Sequence, residues 1–274
     1  MIMNKRTFLF VFLILNTTIS FAQNNIDSVG EHLQFIANNI TEDSTIQKRH
    51  YADSLFTRTL VQTLKNPFSF NYTFDSLRSV KVITAPDKSF KFFSWQIDNE
   101  DGSFTQKGAM QMNTPDGQLK LLPFFDDSEY FENPNDQITD RKHWQGAIYY
   151  DIVQNEYNNI TYYTLLGYDE NDAEISNKII EVIHFEKNEP VLGGDFFVYP
   201  ADESLPKQPI KRFILSYKKG SNAYIRTENN NALLVLSELS SIENNLKIKN
   251  TLVPNGDDLY FEWINGKWVM RRNY

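Results

Sequence analysis

No cysteine occurs anywhere in the 274 residues. That removes thiol nucleophiles, thiolate metal sites, disulfide staples and thiol redox chemistry together. Stability therefore has to come from core packing. Several motifs are missing as well. The sequence has no G-x-S-x-G elbow for a serine hydrolase. It has no Walker loop and no glycine-rich dinucleotide turn following a strand. The four histidines, His32, His50, His143 and His184, include no pair spaced as H-E-x-x-H. No tryptophan–aspartate repeat or other internal period is visible. Positive charge is also scarce, with 27 Lys and Arg against 35 Asp and Glu, for a formal charge of −8. An acidic chain of this kind carries no basic footprint for nucleic acid and no basic stripe for anionic lipid.

Long apolar runs are confined to the beginning. Lys5 and Arg6 precede the unbroken run Phe8–Leu15, and Ser20-Phe21-Ala22 places small residues ahead of Gln23. The run is shorter than the roughly 20 residues a spanning helix needs. This pattern predicts a cleavable signal peptide over 1–22 and an exported mature chain over 23–274. With no cysteine after the run, no lipoprotein anchor can form. The expected location is periplasmic or secreted, with no membrane span after cleavage.

The mature chain begins with a helical pattern. Ile26, Val29, Leu33, Ile36 and Ile40 follow three- and four-residue steps, as one helix face requires. Ser44 and Gln47 fit a capping box ahead of a second helix, whose stripe is Tyr51, Leu55, Phe56, Leu60 and Leu64. Asn66-Pro67 ends it, because the residue before proline avoids helical geometry. Residues 23–67 are thus expected to form a helical hairpin packed on a β core.

From Phe68 the period becomes two. Phe68, Phe70, Tyr72 and Phe74 alternate with small polar residues, which predicts an extended segment with one aromatic face. Turn chemistry then divides the chain into short strands. Ala85-Pro86-Asp87-Lys88, Asp98–Gly102 and Pro115-Asp116-Gly117 separate a four-strand meander over 80–84, 89–97, 104–112 and 118–125. Further strands are expected at 146–154, 160–168, 177–186, 191–199, 211–217, 222–228, 232–237, 246–252, 258–264 and 267–271. Asn265-Gly266 is the clearest hairpin turn, since both residues tolerate positive φ. Gly193-Gly194 reads as a bend within apolar residues. The fold class is α+β, mostly β: a helical hairpin, then a large antiparallel β domain over 68–274 whose closure as sandwich, barrel or propeller-like array is open. The long connection 126–145 marks a candidate sub-boundary, and 200–209, with three prolines, reads as a stiff surface loop.

Two places hold candidate chemistry. Asp169–Glu174 packs four acids into six positions. An EF-hand loop needs oxygen donors at alternate positions and then a glycine. Here Ala173 stands at a ligand position and Glu174 where the glycine belongs, so the segment reads as a hairpin tip. No metal and no cofactor are expected. Loop 126–145 offers carboxylates, among them Asp126, Asp127 and Asp140, with His143 as a base and Tyr130 and Trp144 as aromatic platforms. Paired carboxylates flanked by aromatics suit glycoside hydrolysis. An acidic, aromatic-rich chain also reaches such a set without any catalytic purpose.

"FDSLRSVKVITAPDKSFKFFSW" (74–95), "YYTLLGYDENDAEISNKIIEVIHF" (162–185), "GGDFFVY" and the signal ending Phe21-Ala22-Gln23 resemble a group of uncharacterised exported proteins of Bacteroidetes-type bacteria. The resemblance implies an envelope or secreted setting and brings no activity and no site residue. The leading expectation is a non-catalytic exported β protein that binds an envelope partner, peptide or glycan. The alternatives are an envelope hydrolase using the carboxylates of 126–145, and a structural or assembly protein acting through the helical hairpin.

Overall fold

The computed structural model describes residues 30–201 and 205–271. The expected signal peptide over 1–22, and Ile26 and Val29 of the first helical stripe, lie outside them. Helix α1 covers 30–42 and helix α2 covers Ile46–Leu64. Leu33, Ile36 and Ile40 are buried, as their spacing requires. In α2 the buried face runs in steps of four through Ala52, Phe56, Leu60 and Leu64. Tyr51 sits one position off that line and is 67 % exposed, so it does not belong to the stripe. The capping box does not form either: the residue preceding α2 is Thr45, and no side chain caps the helix start. Buried Arg49 ties this end down instead. Its guanidinium donates to the carbonyls of Asp43 and Asp98 and to Glu100 Oε1.

The segment 68–74 is not extended. Phe68 and Phe74 both have left-handed φ, and Ser69–Asn71 is a single 3-10 turn. Ser69 Oγ donates to the Leu64 carbonyl, which folds the chain back under the helix. The carbonyls of Phe70 and Tyr72 meet the Lys91 ammonium in place of a strand partner. The aromatic residues therefore split, with Phe70 and Phe74 buried and Phe68 55 % exposed. Burial lowers the Lys91 pKa to about 8.

Three sheets follow. The first is the expected meander β1 (Lys81–Thr84), β2 (Phe90–Asp98), β3 (Phe104–Met112) and β4 (Lys120–Phe125), in that spatial order. The central sheet contains β5 (Thr139–Asp140), β6 (Ile148–Tyr157), β7 (Ile160–Asp169), β8 (Ile175–Glu186) and β9 (Glu189–Leu192), ordered β5-β9-β8-β7-β6. β11 (Phe213–Lys218) joins it by pairing with the first half of β8. The third sheet is ordered β10 (Phe197–Val198), β15 (Lys267–Arg271), β14 (Leu252–Ile264), β13 (Leu233–Ser241) and β12 (Ile225–Glu228). All named strand pairs are antiparallel except β10 with β15.

Two expected strands are drawn differently. The run 191–199 is split between β9 and β10. Gly193 and Gly194, at φ 86 and 158, turn the chain from the central sheet to the third. The stretch 246–252 is a loop ending in the 3-10 turn Lys249–Thr251. β14 instead begins at Leu252, and the polar stretch that follows sits in the strand opposite a register shift in β13. Asn265 and Gly266, at φ 49 and 77, close the β14–β15 hairpin as expected.

Side chains alternate faces along a strand, so the core residues order the layers. Phe93, Trp95 and Ile97 pack on the helices, while Phe90 and Phe92 pack on the central sheet. Leu165 and Ile179 meet the first sheet, while Leu166 and Ile180 meet the third. The order is helices, first sheet, central sheet, third sheet, with the central sheet buried on both faces. No helix among the described residues is long and apolar enough to cross a membrane.

Candidate functional site

The site lies at one end of the interface between the first and central sheets. In the central sheet Asp169 on β7 is opposite Asn177 on β8, and Asn177 is opposite Ser216 on β11. Each shares a face with a core residue: Asp169 with Leu165, Asn177 with Ile179, Ser216 with Ile214. Those three apolar residues pack against the first sheet. The strand pattern therefore carries a polar row across three strands where the apolar core ends. Beyond it the sheets part around a cleft of about 530 Å³, within the range of small-molecule sites. Phe104 and Thr105 on β3 line the facing wall, and Asp126, Ser128, Glu129 and the run from Phe131 to Asn135 line the rim.

Two carboxylates, the buried Asp169 and the half-buried Asp126, meet one residue here. The Gln106 backbone N–H donates to Asp126 Oδ2 at 2.7 Å, and its Nε2 donates to Asp169 Oδ1 at 2.8 Å. Asp169 Oδ1 also accepts the Asn171 N–H, and Asp126 Oδ1 accepts the Ser128 N–H. Burial pushes both acids up. Asp169 reaches about 6, with the nearby Asp126 charge adding to the burial. Among the ion pairs of the described residues, none includes either acid.

Acceptors are in excess. The side-chain carbonyl oxygens of Gln106, Gln145, Asn135 and Asn177 are buried without a hydrogen-bond partner, and the last three residues line the cleft. Gln145 and Asn177 are each only 6 % exposed. Such oxygens carry a desolvation cost until something donates to them. Gly146 makes the close approach feasible. At φ 72, a Cβ on it would stand 2.7 Å from Asp126 Oδ1 and 2.6 Å from Gln106 Cγ.

The rim is anchored from beneath. Arg212 and Glu181 form a fully buried ion pair at 2.8 Å. Arg212 also donates to Thr139 Oγ1 and to the Pro134 carbonyl, so one guanidinium holds both ends of the 134–139 turn. Burial raises the Glu181 pKa, and Arg212 opposes that rise.

The residues singled out in loop 126–145 disperse. Asp126 lines the cleft, but N–H groups engage both its oxygens. Asp127, Asp140, His143 and Tyr130 do not line it. Asp140 Oδ1 caps the turn at Lys142 and His143, with His143 Nδ1 at 3.1 Å, on the exposed surface. Tyr130 is 72 % exposed. Trp144 is no surface platform. It is fully buried among Phe92, Phe124 and Tyr149, and its Nε1 donates to the Tyr149 hydroxyl. Gly108 makes room for that indole, since a Cβ there would stand 2.9 Å from the ring.

Within the acidic segment Asp169 ends β7, and 170–174 form a five-residue connection to β8, closed by Asp172 Oδ1 accepting from the Glu174 and Ile175 N–H groups. Among the described residues, no group of three or more His, Asp or Glu is arranged to hold a metal. In the sequence Asp169 stands out only within its own acidic loop. Its decisive partner, Gln106, is 63 residues away. Comparison with protein-family models, curated proteins and solved structures returned no match.

Proposed function

We propose that this chain is a non-catalytic exported binding protein that takes a small polar envelope ligand, a peptide or glycan fragment, in the cleft between the first and central sheets. One observation carries the reading: a cleft of ligand size whose wall holds buried side-chain carbonyl oxygens with no donor among the described residues. Binding is favoured over hydrolysis by the state of Asp126. A carboxylate whose oxygens both accept backbone N–H bonds is fixed as a turn cap and is poorly placed to exchange a proton or attack a sugar. The export pattern at 1–22 supports an envelope or secreted setting.

Thermal-shift screening of the mature chain against envelope glycan fragments and short peptides tests the reading, with Ser216→Trp alongside. An indole at Ser216 projects into the cleft from the polar row. Ligands that raise Tm in the wild type are expected to lose that effect in the variant. Shifts that survive the filled cleft place binding elsewhere and refute the proposal.

A further inference from the structure

We infer that the inner end of the cleft is a subsite for a protonated amine, so that the ligand is a fragment carrying a free ammonium group. The inference rests on the cleft being the binding site.

The first argument is charge. Half-buried Asp126 and buried Asp169 line the cleft, and neither has a cation in ion-pair contact among the described residues. Glu129 and Glu132 add negative charge at the rim. The cations nearby leave both acids unpaired. Lys249 lines the cleft, but its ammonium donates to Ser216 Oγ at 3.3 Å and pairs with no acid among the described residues. Lys219 pairs with Glu170, donates to the Asp172 carbonyl and lies over the Phe104 ring. Lys107 lowers the Asp126 pKa but forms no ion pair with either acid. A buried carboxylate without a counter-charge is the costliest kind of polar group to keep dry.

The second argument is hydrogen-bond type. Asn177 Oδ1 and Gln145 Oε1 are buried acceptors with no donor. An ammonium offers three donors and no acceptor, the complement of one carboxylate and two amide oxygens. The third is size. A bare hard cation takes six to eight oxygen ligands and leaves most of 530 Å³ unfilled. An amine attached to a polar fragment neutralises the inner end and fills the rest, against Asn99, Ser103 and Asn133.

The test uses D-glucosamine and N-acetyl-D-glucosamine, which share a ring and differ in the ammonium, with calcium chloride as a third probe. Calorimetric titration of the mature wild-type chain is expected to show glucosamine binding at least about tenfold tighter than its acetylated counterpart. Asp169→Asn is expected to erase that preference while near-ultraviolet circular dichroism stays native. Asn177→Leu, which keeps the carboxylate but removes the amide beside it, is expected to weaken glucosamine binding by about tenfold. Equal binding of the two sugars overturns the amine subsite and leaves the cleft reading standing. Calcium binding that disappears in Asp169→Asn overturns it in favour of a metal. Absence of glucosamine binding at millimolar concentration overturns it as well. The cleft reading fails separately, when ligand effects persist in Ser216→Trp.

Discussion

Asp169 is 7 % exposed, carries a charge at neutral pH and has no cation beside it. Its folded pKa of about 6 exceeds the ordinary 3.8, so the folded chain binds its proton more tightly than the unfolded chain. Stability from this residue is therefore highest below about pH 4 and falls as pH rises through 6. The cost at pH 7 is on the order of 2–3 kcal/mol. Asp169→Asn removes that charge, while an amide oxygen in the same place can keep the bonds from Gln106 Nε2 and the Asn171 N–H. Urea unfolding at pH 7.5 is expected to show the variant more stable than wild type by about 1–3 kcal/mol, with the gap closing near pH 4. A variant less stable at both pH values contradicts the burial argument. The position also shows what a residue-level reading of sequence can reach. The failed calcium pattern at Ala173 and Glu174 is written in adjacent letters. The contact that makes Asp169 a site residue comes from another sheet and leaves no local trace. Trp144 is the converse: an aromatic in a polar loop reads as exposed, and only the gap at Gly108 reveals it as core.

Elements were easier to read than contacts. The meander β1–β4 and the Asn265-Gly266 hairpin follow directly from alternation and turn chemistry, because strand period and positive-φ turns are local properties. The misreadings occur where a distant group overrides local pattern. Lys91 captures the carbonyls that would have made 68–74 extended, and the sheet change at Gly193-Gly194 splits one apolar run in two. The polar row depends on the same registers that set the strands, and on the tight turn before β6. Gly146→Ala is expected to strain that turn, since positive φ costs an L residue about 1–2 kcal/mol and the methyl group meets Asp126 and Gln106. The predicted outcome is a lower urea midpoint together with weaker ligand binding. An unchanged midpoint shows that the close approach at Asp126 is looser than described.

At the scale of the molecule, four layers share three cores, and the helices, together with Phe74, Leu77 and Val80, cover one face of the first sheet. Phe56 packs edge-on against Trp95 at 5.1 Å, and Trp95 Nε1 donates to Asp53 at 2.7 Å. Deleting 23–66 uncovers Phe93, Trp95 and Ile97. The shortened chain is expected to bind a hydrophobic dye and to self-associate on size exclusion. A monomeric, dye-silent product contradicts the layer assignment. The helices thus serve the fold, while the cleft at the other interface carries the proposed function. Nitrogen–proton NMR of labelled protein spanning 23–274 during glucosamine titration addresses that function most directly. The account predicts shift changes concentrated at Gln106, Gln145, Asn171 and Asn177, saturating with ligand. Changes confined to the helices or to the third sheet, or no changes at all, contradict it.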